Sequence, residues 1–89
     1  MENLEQYREE IDEIDKRLVE LFERRMETVL KVGAYKRENN LPILDEDREN
    51  IVIEKNITRL KNKAFKDALE SFFIHLMNLS KKEQEKIIK

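Results

Sequence analysis

Two long cations stand where a helix should present apolar side chains. From its start the chain places Leu4, Tyr7, Ile11, Ile14, Leu18, Leu21, Arg25, Val29, Val32 and Lys36 at steps of three or four residues, the repeat of one packed helix face. Arg25 and Lys36 break that stripe. An unpaired buried cation costs several kcal/mol, so either the chain's own carboxylates or an anionic ligand must neutralise them. A second stripe, Leu69, Phe73 and Leu76, is continued by Ser80 and Gln84, which lie one turn apart and point at the same place. The chemistry on offer is charge and hydrogen bonding to a small anion. Arg8, Asp45, Arg48 and Glu49 are the other charged positions that could join it.

Helix geometry limits how these groups meet. Arg25 and Lys36 are 11 residues apart, about 16 Å in rise and nearly the same direction, so both can reach one ligand. Arg8 lies about 25 Å from Arg25 and about 42 Å from Lys36 along a helix with no proline to bend it. If Arg8 touches the same ligand, it comes from a second chain whose long helix runs antiparallel. The expected assembly is an intertwined two-fold homodimer with two shared sites.

Each feature also has a plainer reading. Arg25 alone would suit an ion-paired residue at the core edge, Lys36 a partner for the helix dipole, and Asp45 a simple cap. Ser80 and Gln84 would suit a half-exposed turn, and His75, among Phe73, Ile74 and Leu76, a packing or surface residue. Lys61, Lys63, Lys66, Lys81, Lys82, Lys86 and Lys89 read as solvated faces, with no interleaved aromatic platform for nucleic acid.

Three helices must hold these residues. Asn3 with Gln6 three residues on forms a capping-box pattern, and the first helix is expected over 4–38, ending at Asn39-Asn40 before Leu41-Pro42. Asp45 caps a second helix with an inner face of Val52, Ile53, Ile57 and Leu60, stopping near Asn62. The third starts at Lys66 or Asp67, with Leu69, Phe72, Phe73, Leu76, Leu79 and Ile87 inward. Gly33, unfavourable inside a helix, marks close approach of a partner helix or of the ligand. The fold class is all-α: long, short and medium helices, without strand signal or repeat.

Composition narrows the function. Eighty-nine residues form one domain, 1–89, whose small core favours oligomerisation. With 43% charged residues but a net charge of −2, the signs are interspersed as on solvated helix faces, unlike a nucleic-acid surface. Cysteine is absent, and there is neither a leader pattern nor an apolar run long enough for a membrane span, so a cytoplasmic location is expected.

Taken together, Arg8, Arg25 17 residues on, Lys36 11 further, Pro42, the D-x-x-R-E of Asp45, Arg48 and Glu49, and Ser80-x-x-x-Gln84 resemble the all-helical (AroQ-type) chorismate mutases over nearly the whole chain. Relative to bacterial members, the connection from Lys61 to Asp67 is slightly shorter and lacks glycine, while the Ser80–Gln84 spacing is intact. The resemblance implies a pericyclic rearrangement of chorismate, a small dianion, to prephenate in aromatic amino-acid biosynthesis, with no nucleophile, metal or cofactor required. It implies that Arg25 and Arg8 hold the substrate's carboxylates and that Lys36 and Gln84 donate to the ether oxygen. Glu49 accepts from the ring hydroxyl with the Asp45 region assisting, Arg48 orients Glu49 and lines the pocket, and Ser80 helps bind a carboxylate. It also agrees with the intertwined dimer, Arg8 crossing the interface. No further catalytic or regulatory domain, and hence no feedback control within the chain, is expected.

Other classes remain open on sequence. An isochorismate-pyruvate lyase of the same fold uses a similar cationic pocket. A non-catalytic helical dimerisation module would need only the stripe. A nucleic-acid binder would show strongly salt-dependent association with a polyanion.

Overall fold

The computed structural model describes residues 3–88 and is all-helical among them. Helix α1 spans Leu4–Glu38, α2 Glu46–Arg59 and α3 Lys66–Ile88, with a single 3-10 turn, Lys63–Phe65, ahead of α3. Both ends of α1 form as the sequence predicts. The Asn3 side chain accepts from the Gln6 backbone N–H while Gln6 accepts from the Asn3 N–H, so two orphan donors are satisfied reciprocally. At the other end Asn40 takes a left-handed φ of 55°. The N–H of Leu41 then reaches back to the Lys36 carbonyl at 2.8 Å and that of Asn40 to Arg37, a Schellman closure.

Asp45 caps α2 by accepting from the Arg48 N–H at 3.0 Å. The helix ends at Arg59, short of the expected Asn62, because the chain turns extended at Leu60. Lys63 donates to the Ile57 carbonyl across that end, and Asn62 accepts from the Ala64 N–H to cap the 3-10 turn. This turn, absent from the sequence reading, is how a connection without glycine reverses direction.

Helix α3 is the element that packs against both others. It runs parallel to α1: Arg25 meets Ser80, Val29 meets Gln84, and Arg37 meets Ile87, numbers rising together on both helices. The resulting body is long and thin, 58 × 24 × 15 Å. Its core is small. Among the described residues the buried apolar side chains are Leu76 and Met77, and Met77 was not on the expected face. Phe72 and Leu79, expected inward, are exposed. The stripe on the first half of α1, from Leu4 through Leu21, is exposed as well, since α3 covers only the second half.

Candidate active site

The polar interruptions of the two stripes find each other. Ser80 and Gln84 are not a half-exposed turn: they retain 7% and 6% of their exposure, packed against the second half of α1. The Arg25 guanidinium donates to the Ser80 hydroxyl at 2.8 Å, and that hydroxyl donates to the Leu76 carbonyl one turn back. Ser80 is thereby locked with its oxygen toward Arg25. One turn on, the Gln84 amide nitrogen donates to the Val29 carbonyl at 3.0 Å. Gly33 makes this approach possible. A methyl group there would lie 3.0 Å from Gln84 Cγ and 3.2 Å from Ile87 Cδ1, so the close neighbour is α3 of the same chain, not a partner helix or a ligand.

Lys36 sits in the last turn of α1 with its ammonium 2.8 Å from the Ile43 carbonyl. It therefore bonds the α1–α2 connection rather than only facing the helix dipole. Neither donor is exhausted: an ammonium carries three N–H groups and a carboxamide two, so each keeps hydrogens for a ligand.

Arg25, Arg48, Lys55 and Arg59 line one cleft of about 730 Å³ together with Leu21, Phe22, Phe72, Phe73 and Leu76. No carboxylate lines it among the described residues. Burial of Arg25 and, second, the nearby Arg48 charge lower the Arg25 pKa from its ordinary value. Like charges drawn together without a counter-ion are what an anion site looks like before it is filled. Among the described residues Arg25, Lys36 and Arg48 form no ion pair.

Glu49 does form one, with an unexpected partner. Its Oε2 lies 2.8 Å from Lys81 Nζ, so the cation on Glu49 is Lys81, read above as solvated, and Arg48 lines the cleft instead. A lysine one residue past a site serine has the same sequence signature as surface lysines, and only the packing of α2 on α3 separates them. Asp45 stays at the cap, exposed. His75 is exposed, its Nδ1 2.8 Å from the Ser71 carbonyl, and takes no part. Lys89 lies outside the described residues. Arg8 is exposed on the uncovered half of α1 and has no ion-pair partner among the described residues, so one chain does not bring it to Arg25. No group of residues able to hold a metal ion occurs among those described, and no helix is long and apolar enough to cross a membrane.

The sequence profile of the family "Chorismate mutase type II" matches residues 7–85, the span that contains every residue of this cluster. The chain belongs to that family. A T-protein of Haemophilus influenzae is 41% identical over 54 residues, 61% of this chain and 14% of that protein. A bifunctional chorismate mutase/prephenate dehydratase of Buchnera aphidicola from Schizaphis graminum is 44% identical over 57 residues, 64% of this chain and 14% of that one. Another of the same description, from Buchnera aphidicola subsp. Baizongia pistaciae, is 35% identical over 85 residues, covering 93% of this chain and 23% of its own length. The chain thus spans a small part of the curated relatives it matches. No solved structure matches it. As a type II mutase relative the chain has the all-helical fold without strands among its described residues.

Proposed function

We propose that this chain rearranges chorismate to prephenate, serving aromatic amino-acid biosynthesis. The observation that carries the reading is the carboxylate-free cleft in which Arg25 and Arg48 repel one another. Lys36 and Gln84 do not line that cleft in the single chain, Lys36 lying in a neighbouring recess with Asp45, Glu46 and Asp47, but both are held on backbone carbonyls and still able to donate. Membership in the type II family, and the mutase named in several relatives, supports it.

The mechanism follows from what the residues can do. Arg25, oriented by Ser80, clamps one substrate carboxylate, which selects the compact conformer that can react. Lys36 and Gln84 donate to the ether oxygen, where negative charge grows as the carbon–oxygen bond breaks, so they stabilise the transition state more than the ground state. Glu49, which does not itself line the Arg25 cleft, reaches in from the first turn of α2 to accept from the ring hydroxyl, with Asp45 nearby, and Arg48 lines the pocket. No proton changes place. A millionfold acceleration needs about 8 kcal/mol, within the reach of conformational restraint and two charged or polar donors.

The site is completed by a second copy. Arg8 supplies the other carboxylate clamp from the partner's α1, laid antiparallel across the cleft. The exposed apolar stripe Leu4, Tyr7, Ile11, Ile14, Leu18 and Leu21 supports this, as does the small core. Charge agrees: Glu9, Asp12, Glu13 and Asp15 on that half of α1 suit a cleft carrying Arg48, Lys55 and Arg59. The proposed protein is a cytoplasmic homodimer. Loss of chorismate absorbance with prephenate identified as product tests the activity. Release of pyruvate from isochorismate without prephenate formation would assign the lyase reaction instead.

A further inference from the structure

The ion pair between Lys81 and Glu49 joins two helices that carry opposite walls of the site. Among the described residues the other ion pair is Lys86–Glu83, within one turn of α3. Lys81 is different: its ammonium reaches from α3 to α2, and the two side chains keep only 24% and 28% of their exposure. Its neighbours explain why. Ser80 and Gln84 turn toward α1, bonded to Arg25 and to the Val29 carbonyl, while Lys81, on the other flank of the same turn, faces α2. One turn of α3 thus serves both walls.

A carboxylate beside a dianionic ligand is a liability unless its charge is offset and its direction set. With Oε2 held by the ammonium, Oε1 keeps its lone pairs for a hydroxyl donor. We propose that Lys81 is a positioning residue for Glu49: it fixes the carboxylate so that one oxygen accepts from the substrate's hydroxyl, and it offsets a negative charge that would repel the substrate's own. The role rests on the mutase reading above and adds to it a determinant of affinity for hydroxyl-bearing substrates. Because that hydroxyl is held equally in the ground and transition states, the loss of Lys81 falls on KM rather than on kcat.

The test is a double-mutant cycle on the full-length chain with chorismate as substrate. Lys81→Met keeps the aliphatic stem and removes the charge. It should raise KM at least tenfold while kcat stays within threefold, and Lys81→Arg should restore most of the affinity. In a Glu49→Gln background, where the neutral amide needs no counter-ion, the same Lys81→Met change should move KM less than threefold. Lys81→Gln, with circular dichroism to confirm helix content, repeats the measurement should the methionine variant fold poorly. Equal losses in both backgrounds, or a loss confined to kcat, would overturn the positioning role while the wild-type activity leaves the mutase reading standing. A wild-type chain inert toward chorismate would overturn both.

Discussion

The two halves of α1 share one sequence pattern and two different fates. From Arg25 onward the stripe lies along α3, with Arg25, Val29 and Lys36 part-buried and Val32 still exposed, and its polar interruptions are hydrogen-bonded to that helix or to the following connection. From Leu4 to Leu21 the same three-four repeat stands in solvent, with Arg8 beside it. Apolar area left exposed along about 25 Å of helix is an unpaid hydrophobic term, and burial returns roughly 25 cal/mol per Å². On the proposed reading the covered half holds the ligand and the uncovered half is held by another chain.

The sharpest way to break this contrast is to charge the uncovered half. Ile14 is 58% exposed in the single chain, and a substitution at such a position changes the stability of a self-sufficient monomer by only about 0.5 kcal/mol. If a second copy covers it, Ile14→Asp places a carboxylate in an apolar interface at a cost of several kcal/mol. Sedimentation should then show monomers and activity should vanish, because each site loses Arg8. A dimeric, active Ile14→Asp chain would mean that the stripe is not the interface.

In the covered half the largest single effect belongs to Lys36. Removing one donor to a developing oxyanion costs about a hundred- to a thousandfold in kcat. Lys36→Ala should show at least that loss with helical content retained by circular dichroism. Activity within threefold of the parent would remove Lys36 from the reaction.

How far these residues can be read from sequence differs along the chain for a physical reason. Local signals decide helix ends, so the Asn3–Gln6 box, the left-handed Asn40 and the Asp45 cap are all legible from a few neighbouring residues. The stripe interruptions Arg25, Ser80 and Gln84 are legible as anomalies, but that Arg25 bonds Ser80 depends on the parallel register of α1 and α3. Lys81 carries no anomaly at all. Its pattern matches Lys82, which is exposed, and only the placement of α2 gives it Glu49. Cover is the least local property of all: nothing in the spacing of Ile14 and Leu18, both exposed, differs from that of Arg25 and Val29, both part-buried.

The Arg8 and Arg25 pair sharpens the comparison by joining its two sides. Arg8→Ala and Arg25→Ala should each lose about a hundredfold or more, since water does not replace a bidentate arginine at equal strength. Unfolded together in equal amounts and refolded, half the dimers are hybrids. Each hybrid holds one intact site, with its twin lacking both arginines, so about a quarter of all sites regain full activity under random two-fold pairing. A confirmed hybrid without recovery would place both arginines in one chain's site. At Gln84 the contrast is with protons. Gln84→Glu should work only at acidic pH: a neutral carboxyl donates to the ether oxygen as the amide does, whereas a carboxylate cannot and repels the dianion. Burial at that position disfavours the charged form, which extends the active range upward in pH. A flat pH profile would count against Gln84 as the donor.

The smallest expected effect is at Gly33, where the covered half is tightest. Alanine in a helix interior is favoured over glycine by up to about 1 kcal/mol, so in the uncovered half such a change would simply stabilise α1. At Gly33 the added methyl meets Gln84 Cγ at 3.0 Å and Ile87 Cδ1 at 3.2 Å. Gln84 cannot retreat freely, because it is buried and its amide is tied to the Val29 carbonyl. The propensity gain and the crowding therefore oppose one another, and Gly33→Ala should leave Tm within about 5 °C of the parent. The reaction is less forgiving: a displacement of Gln84 by a few tenths of an ångström lowers kcat by about three- to tenfold with little change in KM. Thermal unfolding and steady-state kinetics on the same preparation separate the two terms. A variant that is more stable and fully active would show that α3 yields at this contact without moving the amide, and that the close approach at Gly33 serves packing alone.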